Sequence, residues 1–160
     1  MTGAAARFRE AAARAGLDPD VRRFPEGTRT AEDAARAIGC DVAQIVKSLV
    51  FVADHMPILM LTSGRNRVDP SKVAALCGAT QVRKATADEV RAATGYAIGG
   101  TPPFGHDGSL RCFVDEDLMG FDELWAAAGT PDGVFPITPD DLVRASLGSV
   151  ASFAETRPAG

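Results

Sequence analysis

The sequence predicts an α/β fold with a mixed sheet, and three observations carry that prediction. Short β-rich runs alternate with short helical segments along the chain, helix-capping residues precede several of those segments, and no repeat or low-complexity linker interrupts them. At 160 residues, with 46% hydrophobic and 24% charged, the chain suits one domain, 1–160, with its own core. A dinucleotide-binding fold is not predicted, because no Gly-x-Gly-x-x-Gly turn follows the first strand.

Taken in order, residues 3–16 place alanine and arginine at helical spacing with Phe8 on the apolar side, and Gly16 stops the run. Residues 21–24 read as a short strand. Thr30 with Asp33 resembles a capping box opening a helix to Ile38, which Gly39 ends. Residues 48–53 and 58–62 are β-rich and flank Asp54-His55-Met56-Pro57, which reads as a hairpin turn. Asp69 and Pro70 are an N-cap and first-turn pair for a helix to Leu76. Thr86 with Glu89 caps a further helix to about Ala93. Residues 110–114 predict a strand, and 124–127 and 134–137 weaker ones. Thr138 and Pro139 start the last helix, to about Leu147, and residues 150–153 pack back on the body.

Composition excludes several classes. A formal net charge of −4 argues against general DNA binding through a broad basic face, though not against a pocket for one nucleotide end. Apolar stretches such as Ile58-Leu59-Met60-Leu61 are too short to span a membrane. The start of the chain lacks a basic segment followed by an apolar one, so no signal peptide is read and a cytoplasmic location is expected. Cys40, Cys77 and Cys112 are odd in number and widely spaced, and only His55 and His106 could join them. They read as buried thiols, with no metal, cofactor or disulfide framework expected.

Two features carry chemistry. Lys47 stands inside the apolar run Ile45-Val46-Lys47-Ser48-Leu49-Val50-Phe51-Val52, where a buried ammonium is costly unless an anion meets it. The plain alternative is an outward-facing or snorkelling edge-strand lysine. About fifty residues later, the loop from Gly95 to Gly105 holds four glycines and two prolines. Gly99 and Gly100 can take positive φ while Pro102 and Pro103 stiffen the exit, giving a cradle for a carboxyl or oxyanion, or simply a tight connection. Asp115 reads as an acidic cap or a site residue. His106 with Asp107 suggests acid–base chemistry but has no nucleophile beside it, and Arg65-Asn66-Arg67 reads as a solvated turn or a phosphate contact.

In these residues the chain resembles the YbaK family of aminoacyl-tRNA deacylases, related to the editing domain inserted in bacterial prolyl-tRNA synthetases. The likeness runs over residues 20–155. Its anchors are Thr28-Arg29-Thr30-Ala31, Gln44 through Phe51, Asp69 with Lys72, Thr94 through Gly100, Pro103 with Gly105, Asp115, and Ala128-Gly129. The short N-terminal helix and the lack of synthetase motifs resemble the freestanding, trans-acting form.

The resemblance implies a single domain with a mixed barrel-like β-sheet and flanking helices. It implies hydrolysis of the ester of mischarged tRNA, usually proline tRNA, with prolyl-tRNA synthetase as a candidate partner. Lys47 would hold the tRNA 3′ end near its terminal phosphate, and Gly99 and Gly100 would orient the carbonyl. Thr30, Ser48, Gly95, Thr101, Pro103, Gly105, Asp115 and Gly129 would line the substrate. A water assisted by the substrate's own ribose hydroxyl would attack, with no covalent nucleophile. Where relatives carry a histidine or aspartate, this chain has Val134-Phe135, which points to small aliphatic groups such as alanine or 2-aminobutyrate. The alternatives are a cysteinyl-tRNA(Pro) deacylase, a non-catalytic module holding aminoacyl-tRNA or nucleotides, and a hydrolase of free aminoacyl esters.

Overall fold

A central hairpin organises the sheet. β2 (Ile45–Ala53) and β3 (Met56–Ser63) pair antiparallel from Val46 opposite Ser63 to Ala53 opposite Met56. The turn is shorter than expected: Asp54 and His55 alone separate the strands, and Met56 and Pro57 belong to β3. Asp54 sits at φ 57°, and its carboxylate accepts the N–H groups of Thr80 and Gln81 at 2.9–3.2 Å. That contact holds the chain where β4 (Val82–Lys84) pairs antiparallel with residues 51–53 of β2. No sequence signal marks β4, because it is three residues long, two of them charged, and so shows no apolar alternation.

The structure is a computed structural model that describes residues 3–25, 30–106 and 110–156; Thr28, Arg29 and Asp107 lie outside the described residues. β5 (Arg111–Asp115) runs parallel to β3, and β8 (Ser149–Ala151) runs parallel to β5. On the other side β6 (Leu124–Ala127) runs parallel to β2, meeting it only at Ile45 and Val46. β7 (Gly133–Ile137) and the two-residue β1 (Arg22–Arg23) complete the order β1-β7-β6-β2-β3-β5-β8, with β4 branching from β2. This is the mixed sheet with flanking helices that the sequence predicts.

Four of the five described helices begin where their caps predict, and the first starts without a side-chain cap. The five are α1 (Ala4–Arg14), α2 (Ala31–Ile38), α3 (Pro70–Cys77), α4 (Ala87–Thr94) and α5 (Pro139–Ser146). Thr30, Asp69, Thr86 and Thr138 each accept a first-turn N–H through the side chain, and Glu89 returns the bond to the Thr86 N–H at 2.9 Å. Such caps satisfy donors that the helix itself leaves open.

The two-residue period of β2 distributes the core. Val46, Val50 and Val52 face Phe8 and Ala12 of α1, Val90 of α4 and Leu142 of α5. On the opposite face Ile45 packs with Ala34 and Ala35 of α2, while Phe51 and Ala53 pack with Val73 of α3, Phe113 and Phe153. Lys47 and Leu49 share that second face, between the areas that α2 and α3 cover. No helix among the described residues is long and apolar enough to cross a membrane.

Candidate functional site

The site arises from a gap in the sheet. β6 pairs with β2 at Ile45 and Val46, and β4 pairs with it at 51–53. Between those contacts β2 has β3 on one side only, apart from the Ala85 N–H donated to the Val50 carbonyl. Peptide groups in an antiparallel ladder alternate sides. Since the Val50 carbonyl faces β4, the N–H and C=O of Ser48 face the gap as well. A cleft of about 610 Å³ occupies it, with Lys47, Ser48 and Leu49 as floor. Thr30, Glu32 and Ala34 wall one side, Ile98, Gly99 and Thr101 another, and Trp125, Ala127, Pro131 and Val134 a third.

Lys47 is half-buried on this floor, and its Nζ donates to the Asn66 carbonyl at 2.6 Å. Burial pushes its ammonium below the ordinary lysine pKa of 10.5. Glu32 opposes that shift, Lys84 and Arg67 add to it, and Asp115 opposes it again. Lys84 lines the cleft, so two cations converge there in a chain of net charge −4. An ammonium has three donors, of which Asn66 takes one.

The turn bearing Asn66 is braced from beneath. Asp115 is 1% exposed; its Oδ2 accepts the Ser63 N–H at 3.1 Å and Asn66 Nδ2 at 2.8 Å, and its Oδ1 accepts the Asp117 N–H at 3.0 Å. Asn66 Nδ2 also donates to Asp117 Oδ2 at 2.7 Å.

The glycine loop forms the opposing wall. Gly99 is left-handed at φ 86° and is exposed at the cleft. Gly100 is not left-handed, and its N–H donates back to the Ala97 carbonyl at 3.0 Å. It is glycine because a Cβ there would stand 2.9 Å from the Thr130 carbonyl carbon and 3.1 Å from Pro131 N. Thr101 Oγ1 donates to the same Ala97 carbonyl at 3.0 Å. Helix α1 supports the loop from behind: Arg7 Nη2 donates to the Gly95 carbonyl at 2.7 Å, and its guanidinium lies 4.8 Å from the centroid of the Tyr96 ring. His106 Nε2 lies 2.8 Å from the Pro102 carbonyl, which can only accept, so that nitrogen carries the proton.

Of the residues singled out in the sequence, Thr30, Lys47, Ser48, Gly99 and Thr101 meet at the cleft. Gly95, Gly100, Pro103, Gly105, Asp115 and Gly129 are not on its walls. Gly95 ends α4 at φ 80°, and Pro103 is buried in the loop exit. Gly105 and Gly129 give room to α1: a Cβ at Gly105 would collide with Ala11 Cβ, and one at Gly129 would stand 2.8 Å from the Ala4 carbonyl. Val134 lines the cleft, whereas Phe135 packs against Phe8 in the core, ring centroids 4.7 Å apart. Glu32, Lys84 and Pro131 carry no mark in the sequence as site residues, whereas Ile98 lies in the loop that the sequence singles out. Of those three, Lys84 alone carries a hint, as a cation beside a capping box. A second depression of about 350 Å³ has Asp18, Glu123 and Asp141 on its walls and no cation, which suits phosphate poorly.

Comparison with known proteins agrees with this geometry. A family model of the aminoacyl-tRNA editing domain matches residues 25–145. The uncharacterized protein YwhH of Bacillus subtilis is 31% identical over 132 residues, 82% of this chain and 83% of its own. A proline–tRNA ligase of Nitratidesulfovibrio vulgaris is 35% identical over 94 residues, 59% of this chain; the match takes up 16% of that enzyme. A crystal structure described as a candidate trans-editing enzyme for prolyl tRNA synthetase superposes with a TM-score of 0.91 at 44% identity, covering 98% of this chain and 99% of the other.

Proposed function

This chain belongs to the aminoacyl-tRNA editing-domain family, and from that premise we propose that it is a trans-acting deacylase that hydrolyses the ester of mischarged tRNA. The observation that carries the reading is the cleft at the gap in β2, which has a half-buried lysine on its floor, a left-handed glycine on one wall and apolar side chains on another.

The chemistry follows from what lines the cleft. The two Lys47 donors left by Asn66 meet a phosphate oxygen of the tRNA 3′ end, with Lys84 adding charge at the rim. The loop at Gly99 lies against the ester without a side chain in the way. Water adds to the ester carbonyl carbon, the carbonyl–ribose oxygen bond breaks, and a proton from the water ends on the released ribose hydroxyl. The products are the free amino acid and uncharged tRNA. No protein nucleophile takes part; positioning and backbone electrostatics lower the barrier.

The walls suit a small aliphatic aminoacyl group. Val134, Ala127, Pro131, Ile98 and Trp125 are apolar, and the family resemblance implies that the polar position of relatives falls near Val134-Phe135. Such walls select by size, and a methylene is worth only about 1–3 kcal/mol, so some breadth accompanies the preference. Proline tRNA is the proposed carrier, and prolyl-tRNA synthetase the candidate source of the mischarged product.

The test is single-turnover deacylation of proline tRNA carrying alanine, 2-aminobutyrate, cysteine, serine or proline. Alanine and 2-aminobutyrate should be released fastest and proline spared. Cysteine as the clearly fastest substrate would move the chain to the cysteinyl-tRNA alternative, and binding without release would make it a non-catalytic module.

A further inference from the structure

We propose that Asp115 is a positioning residue of the deacylase site: through Asn66 it sets the place and orientation of the Lys47 ammonium, and it does not touch substrate. The proposal rests on the reading of Lys47 as the residue that meets the tRNA end.

The geometry runs in one chain of contacts. The group that holds Lys47 Nζ is the main-chain carbonyl of Asn66, at 2.6 Å. A carbonyl in a turn is only as well placed as the turn. This one follows β3, and the Asn66 N–H donates to the Ser63 carbonyl at 2.9 Å. The Asp115 carboxylate takes hold of both ends of that turn, from the Ser63 N–H and from the Asn66 side-chain amide. Asp117 takes the same amide nitrogen at 2.7 Å, and Asp115 in turn holds the Asp117 N–H. A carboxylate at the end of β5 therefore fixes a carbonyl at the end of β3, and that carbonyl fixes the lysine on β2.

Burial decides between a ligand role and this one. At 1% exposure Asp115 offers no surface to a tRNA end, and its oxygens already accept three N–H groups. A buried carboxylate needs such a set of donors. What this one does beyond capping is to brace the loop and to put negative charge behind Lys47 without competing for the front of the ammonium. The charged groups acting on Lys47 are Glu32 of α2, Lys84 of β4, Arg67 of the turn, and Asp115 of β5. Asp115 is the one among them that is fully enclosed.

The experiment compares Asp115→Asn and Asn66→Ala with the parent in two readouts. The first is single-turnover release from a tRNA ester that the parent cleaves. The second needs no substrate. Lys47, Lys72 and Lys84 are the chain's three lysines, so ¹³C-labelling at lysine Cε gives three signals, and the Lys47 signal is the one lost in Lys47→Ala. In Asp115→Asn the rate should fall at least tenfold, chiefly in kcat, and Lys47 should titrate at lower pH, because one of the two carboxylates that raise its pKa is gone and only Glu32 remains. In Asn66→Ala, which keeps the accepting carbonyl and the Asp115 charge, the rate should fall at least tenfold. A folded Asp115→Asn protein with a rate within twofold of the parent, or with a slower rate and an unmoved Lys47 titration, overturns the proposal. If Asp115→Asn does not fold, a parent-like rate in Asn66→Ala overturns it. A parent that cleaves no ester refutes the deacylase reading instead, and the titration still reports on the contact itself.

Discussion

Gly99 and Gly100 stand side by side but are glycine for different reasons, so alanine at each should fail differently. At Gly100 a Cβ would meet main-chain atoms of Thr130 and Pro131 at 2.9–3.1 Å. Backbone cannot swing aside as a side-chain tip can, so the loop must lift from residues 130–131. Overpacking of this kind costs about 1–3 kcal/mol. At about 2–4 °C per kcal/mol for a chain of this size, Tm should fall by about 2–12 °C. Because Ile98, Gly99 and Thr101 form one wall and Pro131 another, lifting the loop changes the cleft width directly. If the whole strain is felt in the transition state, release slows about 5- to 150-fold. At Gly99 a Cβ meets nothing within 4 Å, and the cost is its φ of 86°, about 1–2 kcal/mol. That methyl group would enter open space at the wall of the cleft proposed to hold the substrate, so binding should suffer more than packing. Thermal melts and single-turnover deacylation of both variants, at several enzyme concentrations, separate the two. A Gly100→Ala protein with the parent's Tm and rate would refute the argument that contact with 130–131 sets the wall.

Lys47→Ala should lose one charge-assisted contact worth about 1.5–3 kcal/mol, so tRNA-ester binding measured by titration should weaken at least tenfold with Tm nearly unchanged. Lys47→Arg should not restore the rate, because the longer side chain carries its donors in a rigid planar fork and does not reproduce the compact ammonium held against the Asn66 carbonyl. Arg7→Ala removes the bond to the Gly95 carbonyl and the stack on Tyr96. Single-turnover release should slow several-fold, and hydrogen exchange in residues 95–101 should quicken. Glu89 has its pKa lowered from 4.5 to about 2, by the Arg83 guanidinium first and the Thr86 N–H second. A depressed carboxylate pKa contributes stability above the unfolded value, and that contribution is lost as pH falls through the folded one. Glu89→Gln should therefore melt lower than the parent at pH 7, and the gap should close between pH 4.5 and about 2 when Tm is followed against pH.

Features decided by neighbouring residues were legible in the sequence. Thr30, Asp69-Pro70, Thr86 with Glu89, and Thr138-Pro139 announce helices because a cap is a bond between residues two or three apart. Lys47 was legible as a charge in an apolar run. Its partner was not, because the Asn66 acceptor is a main-chain oxygen and every residue has one. The cleft was invisible for a related reason: it exists where β4 and β6 each pair with a different stretch of β2, and β4 has no apolar pattern to betray it. Residue type also misleads about place. Gly100, Gly105 and Gly129 look like parts of a ligand cradle, yet each is glycine because protein atoms come close to it.

The net charge of −4 and the proposed polyanionic substrate are compatible because of where the cations stand. At physiological ionic strength exposed charges are screened over about 8 Å, so the many surface carboxylates act weakly on a ligand in the cleft. Lys47 is screened less, being half-buried, and it forms part of the cleft floor. Its cost of desolvation is met in the free protein by a carbonyl, which carries no charge, and by the nearby carboxylates of Glu32 first and Asp115 second. A carboxylate bonded directly to the ammonium would have stabilised it better and left it little to offer a phosphate. The arrangement keeps the lysine ordered but only partly satisfied, so that the end of one RNA strand can complete its set of partners while duplex nucleic acid, which needs a broad basic face, gains little.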